Sequence, residues 1–277
     1  MSFKVEKLKG LKVGKVFPLL TLLTFQPFNL SAANVAGPAD MVRIPAGEFM
    51  MGSDANDGKI GFEVGVDSIP KHTVSVPAFW IDRYEVTIGP YRKFVAATGR
   101  ETPSIWKDYK EFGYPAPEDD HPVIDVNFYD AEAYCQWAGK RLPTEDEWEK
   151  AARGTDGRIW PWGNRLDLQR LNTEDSKRNW TTPAGSFPGG ASPYGVNDMA
   201  GNAMEWTSSI LQSYRGAPKT MAPDKKFRVL RGGSWGMPAN PFARPAHRHF
   251  RLAELAQPDF GFRCAKDADE RTGESPK

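Results

Sequence analysis

Apolar and polar positions alternate clearly in only a few stretches of this chain, and those stretches set the expected elements. Met41-Val42-Arg43-Ile44-Pro45-Ala46-Gly47-Glu48-Phe49 reads as a first strand and turn, and His72-Thr73-Val74-Ser75-Val76 alternates as a half-buried strand does. Thr87 stands at the start of a helical pattern in which Tyr91, Phe94 and Val95 share one face, ending at Gly99. Residues 100–122, rich in Pro, Gly, Asp and Tyr, read as a long loop. The strongest local pattern spans residues 130–139, with Asp130 as N-cap and Gly139 in the left-handed position after the helix. Thr144 and Glu147 have capping-box spacing for a second helix that runs through Trp148 to Arg153 and stops at Gly154.

Beyond Gly154 long periodic runs give way to Gly, Pro, Asn and Trp. Such a stretch is held by particular side-chain contacts and bound ions more than by helices or ladders. No internal repeat and no clean linker interrupts residues 41–268, so one domain is expected there. Residues 34–40 read as a short linker, and residues 269–277 have the composition of a disordered tail.

Composition supports a globular reading: of 277 residues, 40% are apolar and 12% aromatic, enough for a substantial core. The formal charge of +1 hides an asymmetry, because residues 1–33 hold five lysines and one acid, leaving 31 basic and 34 acidic residues in the remainder. That slightly acidic body has no electrostatic footprint for nucleic acid. The lysines precede an apolar stretch from Val16 to Phe25, followed by Ser31-Ala32-Ala33, the order of an export signal. The stretch falls short of the roughly 20 residues that cross a bilayer, so membrane contact is expected only transiently through this segment. No cysteine precedes residue 135, so the signal offers none for a lipid anchor. The expected location is outside the cytoplasm, in a periplasm.

Cys135 and Cys264 are the only cysteines, which permits one intramolecular disulfide or two buried thiols. An oxidising compartment would favour the bond.

Seven blocks, in order, resemble the formylglycine-generating enzyme, or sulfatase-modifying factor, family. They are Ile44–Ser53, Trp80–Thr87, Gly139–Glu149, Trp160–Asn164, Gly201–Trp206, Arg231–Ser234 and Gly261–Ala265. The resemblance implies an α+β fold: a single loop-rich formylglycine-generating-enzyme domain related to C-type lectins, with little regular secondary structure. It implies a Cys135–Cys264 disulfide. It also implies a structural calcium bound by the Asp198 and Glu205 side chains and the Gly201 and Ala203 carbonyls, oxygen donors of the kind calcium takes. The alternative from the residues alone is that Asp198 caps a turn and Glu205 pairs with an arginine. A second calcium site would start at Asn172 and Thr173, with Asp175 or Ser176 completing it.

The family's oxidases hold Cu(I) between two cysteines that follow Gly-Gly-Ser. Counting from Gly233, those positions are Met237 and Phe242, so no two-sulfur copper site is expected. Met204 stands where the family usually has an aromatic residue. Two departures in one pocket suggest changed recognition or changed chemistry. Ser234, Trp235, Met237, Met204, Arg244, His247 and His249 are the candidate pocket residues. His247 and His249 have the spacing of a metal-ligating pair on a strand, or of structural hydrogen-bonded groups, and Arg244 and Arg251 suit an anion or a partner's carboxylate. His72 and His121 lie in frame segments and read as structural.

There is no phosphate-binding loop and no paired-cysteine zinc spacing. The iron-binding histidine motif of ergothioneine-pathway relatives belongs to a domain not found in these residues. The expected function is that of an exported maturation or accessory factor for a periplasmic product or enzyme. Family members without the copper pair occur in pyoverdine siderophore maturation and beside copper nitrite reductases. The expected partner is a periplasmic protein, a peptide or a small molecule. The alternatives are a lectin-like binding module without catalysis and a formylglycine-generating oxidase with non-cysteine ligands. Loss of the thiolates removes the family's oxidation and leaves turnover by other chemistry open.

Overall fold

The computed structural model describes residues 40–54, 57, 68–116, 118–217 and 223–268. The export segment (1–33), all of the linker but Asp40, and the tail (269–277) lie outside the described residues.

The alternating stretches form strands. β1 (Met41–Ile44) pairs antiparallel with β4 (Phe79–Asp82), and β4 pairs with β9 (Ala265–Asp267). β2 (Gly47–Met51) and β3 (His72–Val76) form a separate antiparallel pair. A four-stranded sheet has the order β7-β6-β5-β8, from β7 (His249–Leu252), β6 (Asp224–Arg231), β5 (Met204–Leu211) and β8 (Phe260–Gly261). Its β5–β8 pairing is parallel and the other two are antiparallel. This sheet comes from the part of the chain with the least legible pattern.

The helices follow their caps with two corrections. α1 (Ile88–Thr98) starts after Thr87 and ends at Gly99 in the left-handed region, but the Thr87 side chain makes no cap bond. The first N–H groups are taken instead by loop carbonyls, Ile88 by His121 at 2.9 Å and Gly89 by Asp119 at 2.9 Å. α3 (Phe128–Trp137) starts earlier than residue 130, because Asn127, not Asp130, is its cap and accepts the Asp130 N–H at 3.0 Å. Asp130 sits in the first turn and pairs with Arg100. The same start is held by a distant strap, Phe128 N–H to the Ala253 carbonyl at 3.0 Å. Gly139 takes the expected left-handed conformation. Within the long loop, Ile105–Asp108 forms the short α2, held by Ser104 and the Ile105 N–H on the Asp125 carboxylate.

α4 (Glu145–Arg153) carries the complete Thr144/Glu147 capping box. It is buried along almost its whole length, charges included, because those charges are spent on anchoring. Glu145 binds Arg231 and Arg248, and Glu149 binds Arg231 and Arg153. Two hydrophobic clusters flank it. One gathers α1, α3 and the four-stranded sheet around Tyr91, Tyr134, Trp206 and Phe262, and the other packs β1–β4 against Trp148, Ala151 and Ala152. Cys135 of α3 is bonded to Cys264, with Cα atoms 5.6 Å apart. Among the described residues no helix is long and apolar enough to cross a membrane.

Candidate functional site

The altered loop leaves β6 at Arg231, whose guanidinium is fully buried and held by Glu145, Glu149, Tyr214 and the Pro245 carbonyl. Gly232 and Gly233 follow at φ 94° and 65°. At Gly233 a Cβ would lie 2.8 Å from the Ala243 Cα and 2.9 Å from the Phe242 carbonyl carbon, so only glycine lets the loop fold back on its own end.

The candidate pocket residues fall into two contact groups. In the first, the Ser234 hydroxyl donates to Asp259 Oδ2 at 2.8 Å, and the Met204 N–H donates to the Asp259 carbonyl at 2.8 Å. Trp235 is pinned by its N–H on the Asn202 carbonyl and its indole N–H on the Pro258 carbonyl. Met204 is fully buried, and Met237 packs half-buried against the same cluster. Burial raises the Asp259 carboxyl above its ordinary value.

In the second group Phe242 lies against His247 and His249, with ring centroids at 5.4 and 5.9 Å, and the two imidazoles are 4.4 Å apart. His249 Nε2 lies 3.3 Å from the Phe242 carbonyl oxygen. Both imidazoles are buried and both pKa values fall. Burial is the main cause; His249 and nearby arginines lower His247 further, and His249 is pushed down to about 4. The pair is neutral at neutral pH. Arg244 donates to the Asp57 carbonyl and lies over the Trp160 ring.

A second constellation surrounds Glu205. Arg263 grips both of its oxygens, Nε to Oε2 at 2.7 Å and Nη2 to Oε1 at 2.6 Å, and the Trp148 indole N–H adds a bond of 2.7 Å. Asp198 accepts the Gly185 N–H at 2.6 Å. Gly201 is needed because a Cβ would fall 2.2 Å from the Asn172 carbonyl oxygen. Glu85, which no local pattern in the sequence marks, completes the set, accepting from the Asn202 side chain at 3.0 Å and the Ala203 N–H at 3.1 Å. Burial, then Asp198 and Glu205, raise Glu85 well above the ordinary carboxylate range, and burial lifts Asp198 to about 6. Three buried carboxylates face one guanidinium. Glu205 thus pairs with an arginine, the alternative that the residues alone offered, and the carboxylate oxygens of Glu85 and Asp198 beside it are donors of the kind a hard cation takes.

The Asn172 turn is engaged internally. The Ser176 hydroxyl donates within reach of both Asn172 Oδ1 and the Thr173 carbonyl, and Asp175 accepts the Ala239 N–H at 2.7 Å. The Glu174 N–H adds a bond to the Met237 carbonyl at 2.9 Å. Asp175 is therefore directed to the altered loop and braces it.

Comparison with known proteins identifies the frame. Residues 27–268 match the sulfatase-modifying factor enzyme 1-like domain. The chain belongs to that family. It is similar to the inactive C-alpha-formylglycine-generating enzyme 2 of Bos taurus, 33% identical over 310 residues that cover 93% of this chain and 98% of that one. The formylglycine-generating enzyme of Bos taurus is 32% identical, covering 89% of this chain and 80% of its own. Among solved structures, PvdO from Pseudomonas aeruginosa aligns with a TM-score of 0.66 and 28% identity, over 82% of this chain and 94% of that one.

Within the family frame, the loop after Gly-Gly-Ser carries a thioether at Met237 and a phenyl ring at Phe242. Both cysteines of the chain are in the disulfide. A Cu(I) ion needs soft sulfur donors, and Phe242 supplies no donor atom, so these residues do not fit the family's copper.

Proposed function

We propose that this sulfatase-modifying-factor family protein is exported and acts as a maturation or accessory factor for another periplasmic product or enzyme, of the siderophore- or nitrite-reductase-associated kind, without oxidising protein cysteine. The carrying observation is Phe242, packed on His247 and His249 at a position where the oxidase needs a thiolate. Similarity to the relative named as inactive supports the reading, as does the likeness to PvdO. A calcium ion held by Glu85, Asp198 and Glu205 with the Gly201 and Ala203 carbonyls would tie the start of β5 to the Glu85 segment, a structural role.

Recognition without chemistry is the second reading. It is favoured by a row of half-exposed rings beside the loop: Tyr114 stacks on Trp180 at 4.3 Å, and Trp180 meets Trp235 at 5.1 Å.

The test is metal analysis of the purified protein together with co-purification from the periplasmic fraction. Calcium with a stably bound partner supports an accessory role, and stoichiometric copper or iron that stays bound in a His121→Ala variant contradicts it. Loss of the partner's maturation on Met237→Ala or Trp235→Ala would locate the working surface at the loop, whereas partner binding with no mass change in any ligand would favour recognition.

A further inference from the structure

We propose a second metal site, for a divalent first-row transition ion, formed by Glu118, Asp120 and His121 in the turn that caps α1. One ligand atom from each of the three lies within 4.8 Å of the other two. Two carboxylates and an imidazole are a donor set for ions such as Mn2+, Co2+ or Zn2+, and the imidazole disfavours calcium. The site is separate from the carboxylate cluster around Glu205 and does not depend on the function proposed above.

The turn is held by hydrogen bonds of its own. The carbonyls of Asp119 and His121 accept the first N–H groups of α1, Asp120 accepts the Ala184 N–H at 2.9 Å, and the His121 N–H closes on the Glu118 carbonyl. His121 Nδ1 lies 2.8 Å from Thr181 Oγ1, which orients the ring. In the proposed site Nδ1 donates to Thr181 and Nε2 carries the lone pair, the arrangement in which an outer partner fixes the tautomer of a ligating histidine.

A second feature points to a bound species. Glu118 and His121 line a cleft of about 10 Å³ with Ile105, Trp106, Trp180 and Thr181, close to the space of one water molecule. The Trp106 indole N–H of that cleft is buried without a partner. A water carried by the ion would accept it. Charge is consistent with a cation: Glu118 and Asp120 are exposed, and the neighbouring Asp119 is paired with Arg92 at 3.0 Å, whose guanidinium lies over the Trp106 ring at 4.6 Å. The turn thus presents two carboxylates beyond that pair.

The experiment is a titration of the full chain with Co2+ and Zn2+, with excess calcium present, followed by calorimetry and by the visible absorption of bound Co2+. One equivalent per chain is expected. Glu118→Gln and Asp120→Asn, both at exposed side chains that leave the fold intact, are each expected to weaken binding at least about tenfold, and Thr181→Val roughly tenfold through the imidazole. His121→Ala is expected to abolish the Co2+ bands. An unchanged affinity in the Glu118 and Asp120 variants, no binding above the calcium background, or full competition by calcium would each overturn the proposal, the first by revealing an adventitious ion only.

Discussion

Arg263 lays two guanidinium nitrogens on the two carboxylate oxygens of Glu205, with both side chains removed from solvent. It also donates to the carbonyls of Asp82, Arg83 and Asn197, joining β4, the Asn197 turn and β5. Removing one partner leaves an uncompensated buried charge. Arg263→Met is therefore expected to destabilise the protein by about 3–5 kcal/mol, measured by denaturant unfolding.

The disulfide closes a separation of 129 residues. In the chain-entropy account a loop of that length restricts the unfolded chain by about 5 kcal/mol. Cys135→Ala or Cys264→Ala should lower the midpoint of unfolding accordingly. Reductant should lower that of the native protein and leave the variants unchanged.

Calcium and protons should compete at the Glu85–Asp198–Glu205 cluster. Asp198, at about 6, and Glu85 are raised when folded, so without calcium they hold protons that the unfolded chain has already released. Their contribution is present in acid and is lost as pH rises through the folded values. Calcium replaces the protons, so the rise in Tm on adding it should be larger at about pH 7.5 than at about pH 5. Glu85→Gln should reduce that rise while retaining the Arg263–Glu205 pair.

His249 has the opposite sign. Its folded value near 4 lies below the ordinary 6.5, so the unfolded state takes up a proton first as pH falls. Stability should be full above about pH 6.5 and decline toward pH 4, by on the order of 3 kcal/mol from this group. Phe242→Ala opens the ring contact and should raise the His249 pKa toward its ordinary value, a shift visible by NMR titration, at a cost of about 2 kcal/mol for a half-buried ring.

Features were legible in the sequence where their causes were local. The Thr144 box, the Gly139 and Gly99 caps and the alternation of β3 each depend on residues within one or two turns. Asp130 is not the cap because Asn127, three positions earlier, takes that role, and the Phe128 N–H is held by Ala253, more than a hundred positions away. Glu85 was passed over because its partners are Asn202 and Ala203, and nothing near residue 85 announces them. The four-stranded sheet was hidden for a related reason: β5 and β6 carry buried charged and polar residues such as Glu205, Thr207 and Arg231, which break the alternation but are paired across the fold. The blocks shared with the family bridged that gap.

The most direct measurement is to incubate the purified protein with copper, oxygen and a Cys-x-Pro-x-Arg peptide and to follow the peptide by mass spectrometry. With Met237 and Phe242 in the loop and both cysteines in the disulfide, the peptide should keep its thiol. Conversion of that cysteine to the formylglycine aldehyde would contradict the account.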